Sequence, residues 1–112
     1  MTSIDLSSFN TSNVTNMSFM FKGCSSLSSI DLGNFNTSKV TDMAAMFYNC
    51  PNLTSIDLSN FDMTNVTITT SMFRNCTNPN LTIYVKDEAA KIKIESSSDF
   101  PTTATVVIGS PN

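Results

Sequence analysis

The stretch IDLGNFNTSKVTDMAAMFYNC, residues 30–50, decides the fold because the chain contains it three times. IDLSSFNTSNVTNMSFMFKGC (4–24) precedes it and IDLSNFDMTNVTITTSMFRNC (56–76) follows it. The three copies fall into register on Ile4, Ile30 and Ile56 without a gap. The connecting segments SSLSS (25–29) and PNLTS (51–55) match as well, which makes the period 26 residues. A fixed period of that size is the signature of a solenoid, in which each unit buries its apolar face only against its neighbours.

Two groups of apolar positions recur within the period. The first is Leu27-x-x-Ile30-x-Leu32, repeated as Leu53-x-x-Ile56-x-Leu58. Its Ile-Asp-Leu alternation is strand-like, with Ile and Leu inward and the Asp between them outward. The second is Val14, Met17, Met20 and Phe21, repeated as Val40, Met43, Met46 and Phe47. Such spacing predicts one face of a short helix. Ser12, Ser38 and Thr64 are its expected N-caps. Gly23, Asn49 and Asn75 share tolerance of the left-handed conformation and are the expected residues just past its end. Lys22 and Arg74 fall in the last turn, where positive charge suits the helix dipole. Met and Phe at this spacing are read as core, not as a cofactor site.

The third repeat drifts. Thr69 replaces Met17 and Met43, Ile68 appears one place earlier, and two extra residues precede Leu81. The strand Leu81–Val85 is expected in a slipped register. KDEAAKIKIES (86–96) predicts a short helix with acidic residues at its start. TATVVIG (103–109) predicts an edge strand. Together these make a closing segment unlike the repeats. The expected organisation is three repeats over 1–85 (about 1–26, 27–52 and 53–85) and a capping segment over 86–112. At the other end, Met1 takes the slot of Leu27 and Leu53, and no cap precedes the first repeat. Ile4, Leu6, Phe9 and Val14 are expected to be exposed there. The chain then reads as the C-terminal piece of a longer array, or as a piece able to self-associate through that end.

Composition narrows the partners. The 112 residues carry a net charge of −3 with only 13% charged residues, which speaks against the basic footprint that nucleic acid requires. No stretch approaches the roughly 20 apolar residues of a membrane span, and residues 1–15 lack the pattern of a secretory leader. Histidine is absent, as are CxxC pairs, so no metal or cofactor site is expected. The same absences, with only three glycines, leave no catalytic constellation, and the chain is not expected to be an enzyme. Cys24, Cys50 and Cys76 follow the period and are expected as a ladder of buried free thiols.

The LxxIxL strand, preceded by Cys24 or Cys50, reads CxxLxxIxL, the core of a cysteine-containing leucine-rich repeat. FNTSNVTNMSFMFKGCSSLSSIDL resembles the BspA-like leucine-rich repeats of bacterial surface proteins, from residue 1 to about 85. The expected fold is therefore α/β: a right-handed leucine-rich-repeat solenoid with a parallel sheet on one face, short helices on the other, and a C-terminal helix-strand cap. The resemblance implies an extracellular or cell-surface location. It implies a non-enzymatic interaction or adhesion module whose partner is a host or neighbouring-cell surface protein or glycan. A structural stalk without a ligand of its own is the other reading. No binding residues carry over, because the shared motif is structural.

Candidate binding residues come from this chain alone. The outward strand positions Asp5, Ser29, Asp31, Ser55 and Asp57 form a ladder of carboxylates and hydroxyls. It is read as a solvated surface, with a cation or a basic group as the alternative. Positions that vary among repeats are the second source, among them Phe19/Ala45/Ser71 and Lys22/Tyr48/Arg74. Phe19 and Tyr48 are the expected exposed aromatics. The Asn-x-Ser/Thr triplets at Asn13 and Asn36 are by-products of an Asn- and Thr-rich repeat.

Overall fold

Alternation of small polar and branched apolar residues produces strands at matching points of successive repeats. In the computed structural model, which describes residues 10–32 and 35–109 (and not the side chain of Asp31), these are β1 (Ser29–Asp31), β2 (Ser55–Leu58) and β3 (Thr82–Val85). A fourth strand, β4 (Thr105–Ile108), and a helix, α1 (Glu88–Glu95), follow from the closing segment. The strands form one parallel sheet in the order β1-β2-β3-β4. Ile56 and Leu58 are buried while Ser55 and Asp57 are half-buried, as the alternation predicts.

The slipped register resolves into two compensating changes. Ile30 lies beside Ile56, and Ile56 lies beside Ile83, one residue later than the period requires. Two residues are added before Leu81, and one is lost between Leu81 and Ile83. A strand displaced by one residue would turn its apolar set outward. The loss restores the alternation, and Leu81, Ile83 and Val85 are all buried.

The short helix expected over Val14–Phe21 and its counterparts is not formed. The backbone there makes successive four-residue turns, with positive φ at Phe19 (61°) and Gly23 (77°), Ala45 (55°) and Asn49 (62°), and Ser71 (56°) and Asn75 (64°). Each left-handed residue is the third of its four, the geometry of a type II turn. Met46 N–H to Met43 O (3.3 Å) and Cys76 N–H to Phe73 O (3.1 Å) close two of them. Lys22, Tyr48 and Arg74 likewise donate to the carbonyls three residues back, at Phe19, Ala45 and Ser71, while alternate amides of the first two repeats do not bond locally. They reach across to the next repeat: Met43 to Ile68 O (2.9 Å), Ala45 to Thr70 O (2.9 Å), Phe47 to Met72 O (2.9 Å) and Asn49 to Arg74 O (2.8 Å). Met17, Phe19, Phe21 and Gly23 do the same toward the middle repeat. Four-residue turns and a helix both return a side chain to the same face every three or four residues, so the apolar spacing does not distinguish them. The predicted N-caps are also something else. Ser12, Ser38 and Thr64 each donate both N–H and hydroxyl to the carboxamide or carboxylate oxygen of Asn10, Asn36 and Asp62, two residues earlier.

The polar residues join the repeats to one another. Buried Thr37 accepts from the Asp62 N–H (2.8 Å) and donates to the Asp62 carbonyl (3.1 Å), and Thr11 does the same with Asn36. The Asn60 carboxamide donates to Leu32 O and Phe35 O, and that of Asn65 to Ser38 O. Inside, Phe21, Phe47 and Phe73 stack at 5.6 and 5.4 Å, and Phe100 closes the column edge-on. Helix α1 starts at Asp87, whose carboxylate accepts from the Ala90 N–H, and it buries Ala90 and Ile94. β4 is the edge strand expected from TATVVIG.

Candidate interaction surface

The outward face of the sheet is polar at β1 and changes across the molecule. Ser29 is exposed, and Ser55 and Asp57 are half-buried. The Asp57 carboxylate accepts from the N–H (3.0 Å) and hydroxyl (2.6 Å) of Ser59, so it shapes its own turn. In register with Asp57 come Asp31 on one side and Tyr84 on the other, and Val107 follows on β4. The carboxylate ladder thus does not extend past β2. Asp5 and the side chain of Asp31 lie outside the described residues, as do Ile4, Leu6 and Phe9, three of the four residues on which the expected open end rests. The fourth, Val14, is not exposed but half-buried against the core. Among the described residues, no three His, Cys, Asp or Glu side chains gather where they could hold a metal ion.

The cysteines are free thiols. Cys50 and Cys76 are buried and donate to the carbonyls of Phe21 (3.1 Å) and Phe47 (3.0 Å) in the preceding repeat, while Cys24 is half-buried. Burial pushes the Cys50 thiol up to about 11 and the Cys76 thiol up to about 12. Such thiols are poor nucleophiles and serve as links between repeats.

The turn face carries a different chemistry. Phe19 is 55% exposed, and the Lys22 ammonium lies 5.3 Å from its ring centroid and 5.6 Å from that of Tyr48. The Arg74 guanidinium lies 5.9 Å from the other partner of Lys22, the Tyr48 ring. Arg74 in turn meets Asp99 at 3.8 Å, with both side chains about half exposed. The structure therefore brings together Phe19 and Tyr48, which the sequence singles out as exposed aromatics, through Lys22, with Arg74 on Tyr48 alone. Tyr48 is half-buried, and the sequence reads the two cations as variable positions and as last-turn charges of a helix that is not formed. Lys22, Tyr48 and Arg74 occupy one position of the period, which was the available signal. Asp99 lies outside the repeats and gave none.

A cleft of about 310 Å³ lies between the third repeat and α1, bordered by Met63, Ala89, Asp62, Lys86 and Lys93. It is at the small end of the range for ligand sites. The Lys93 ammonium donates to Met63 O and Val66 O (2.9 Å), so its donors are spent on the protein. Hydrogen bonds from the Thr64 hydroxyl and N–H, with lesser help from Lys86 and Lys93, hold the Asp62 carboxyl below its ordinary value. Among the described residues, no helix is long and apolar enough to cross a membrane.

Among the described residues, four parallel strands and one short helix, with the 26-residue internal repeat, define a small repetitive α/β protein. The chain belongs to the family described as Mycoplasma protein of unknown function, DUF285, whose model matches residues 1–100. Comparison with curated proteins and with solved structures gives no match.

Proposed function

We propose that this chain is a leucine-rich-repeat solenoid of the BspA-like kind, acting as a non-enzymatic interaction or adhesion module of a bacterial surface or secreted protein. Its partner is a surface protein or glycan of a host or neighbouring cell. The observation that carries this reading is the division of labour within the repeat. Equivalent hydrogen bonds hold the frame from one repeat to the next, while positions 19/45/71 and 22/48/74 carry different residues, of which Phe19, Lys22 and Arg74 are exposed, Tyr48 and Ser71 half-buried and Ala45 buried. A frame that fixes the backbone and varies a surface is suited to recognition.

The test is saturable binding of the whole chain to a panel of immobilised extracellular-matrix proteins and mucin. The reading expects binding to at least one member, weakened by Tyr48→Ala or Arg74→Ala. Uniform failure favours the second reading, a stalk or spacer. That reading has its own support, because much of the Ser, Thr and Asn content is consumed in joining repeats.

A further inference from the structure

We infer that the strip Phe19–Lys22–Tyr48–Arg74 is a docking surface for an anionic glycan, a sugar chain bearing carboxylate or sulfate groups. The inference rests on the reading of the chain as a binding module and deepens it. Three observations carry it.

The first is backbone strain. Positions 19, 45 and 71 are all left-handed, at 61°, 55° and 56°. Two of them hold the small residues Ala45 and Ser71. The third holds a phenylalanine, for which positive φ is an outlier. Its ring is 55% exposed, so core packing does not account for its presence. Strain kept at an exposed aromatic points to a contact with something outside the chain.

The second is charge. The chain is acidic overall, at −3, yet this strip presents two of its six basic residues beside two aromatic rings. Among the described residues Lys22 makes no ion pair. The carboxylate of Asp99 already rests 3.8 Å from Arg74, in an exposed and displaceable pair. An acidic group from a partner would take the same place.

The third separates a sugar chain from a peptide. Peptides that bind by strand addition or as a helix in a groove need a free strand edge or an apolar groove, and those read by their acidic groups need a cluster of arginines, of which the strip has one. Here the amides of Phe19, Lys22, Tyr48 and Arg74 already donate to Ala44, Phe19, Ala45 and Ser71 carbonyls. The strip thus lacks the free amides of a strand edge. A sugar chain needs none of these: its C–H faces pack on the rings and its anionic groups meet the cations.

The test uses the whole chain and four defined probes: a heparin oligosaccharide, a polygalacturonate oligosaccharide, a neutral dextran oligosaccharide and a poly-glutamate peptide. Affinities are measured by calorimetry at low and high salt, with thermal melts of every variant. The expected result is binding of heparin, polygalacturonate or both, with dextran and poly-glutamate much weaker. Phe19→Ser, Lys22→Ala and Arg74→Ala should each reduce affinity about tenfold. Phe19→Ser should at the same time melt no lower than the parent, which separates lost contact from lost folding. Unchanged affinity in these variants overturns the inference, as does poly-glutamate binding as tightly as the glycans. Absence of glycan binding while a matrix protein still binds overturns it and leaves the broader reading standing. Absence of binding to glycans, matrix proteins and mucin alike overturns both.

Discussion

Individual residues show what each polar type contributes. Thr37 is 2% exposed and is both donor and acceptor to Asp62 in the next repeat. Thr37→Val keeps the shape and leaves an N–H and a carbonyl without their partner, which costs about 1–3 kcal/mol. A urea titration should show the midpoint fall with the slope unchanged. Phe19 should behave oppositely. Phe19→Gly removes the left-handed penalty of roughly 1 kcal/mol, and the melting temperature should hold or rise. The thiols give a pH dependence. The native values of Cys50 and Cys76 lie above the ordinary 9.0, so the unfolded state releases its protons first as pH rises. Their contribution is fully present below about pH 9 and is lost as pH climbs through about 11 to 12. Cys76→Ala should flatten the decline in stability over that window. Timed alkylation read by mass spectrometry should label Cys24 well before the other two.

Elements show where sequence reading succeeds and where it stops. Strands β1 and β2 were legible from the Ile-Asp-Leu alternation and β3 from the alternation of Leu81, Ile83 and Val85, a period of two that has no helical counterpart. Helix α1 was legible because Asp87 and Glu88 mark its start and Ala90 and Ile94 its buried side. The turns were not. Met17, Phe21, Met43 and Phe47 sit where a helix would place them, and the difference lies in where the amides of residues 17 to 23 find acceptors. Gly23, Asn49 and Asn75 did announce left-handed backbone. Phe19, Ala45 and Ser71 did not, because none of those residue types favours it. That hidden constraint is also why the candidate surface was only half legible. Phe19 and Tyr48 stood out as aromatics, while the part of Lys22 in joining them, and of Arg74 in flanking Tyr48, becomes visible only once the repeats are stacked. Helix α1 has its own test. Asp87→Ala should cost about 1 kcal/mol through the lost cap, measured as a lower denaturation midpoint.

The whole molecule is held by contacts between residues about 26 apart, in the sheet, in the turns and through the side chains of Thr, Asn and Cys. The end of this pattern is visible at the third repeat, where residues of the closing segment supply what another repeat would otherwise supply. Ser98 accepts the Ser71 N–H (2.9 Å), Lys93 covers the carbonyls of Met63 and Val66, and Phe100 meets Phe73 edge-on. Lys93→Met removes a cation from those carbonyls and should destabilise the chain by about 1–3 kcal/mol, read by the same titration. The central claim is that alternate amides in the turn regions, those of Met43, Ala45, Phe47 and Asn49 and their counterparts from Met17 to Gly23, bond across repeats and not to the carbonyls four residues earlier. Its most direct test is the scalar coupling across hydrogen bonds in an isotope-labelled sample. The account predicts couplings from Ala45 N to the Thr70 carbonyl and from Phe47 N to the Met72 carbonyl. Couplings from those amides to the carbonyls four residues earlier, Thr41 and Met43, would contradict it and restore the helix.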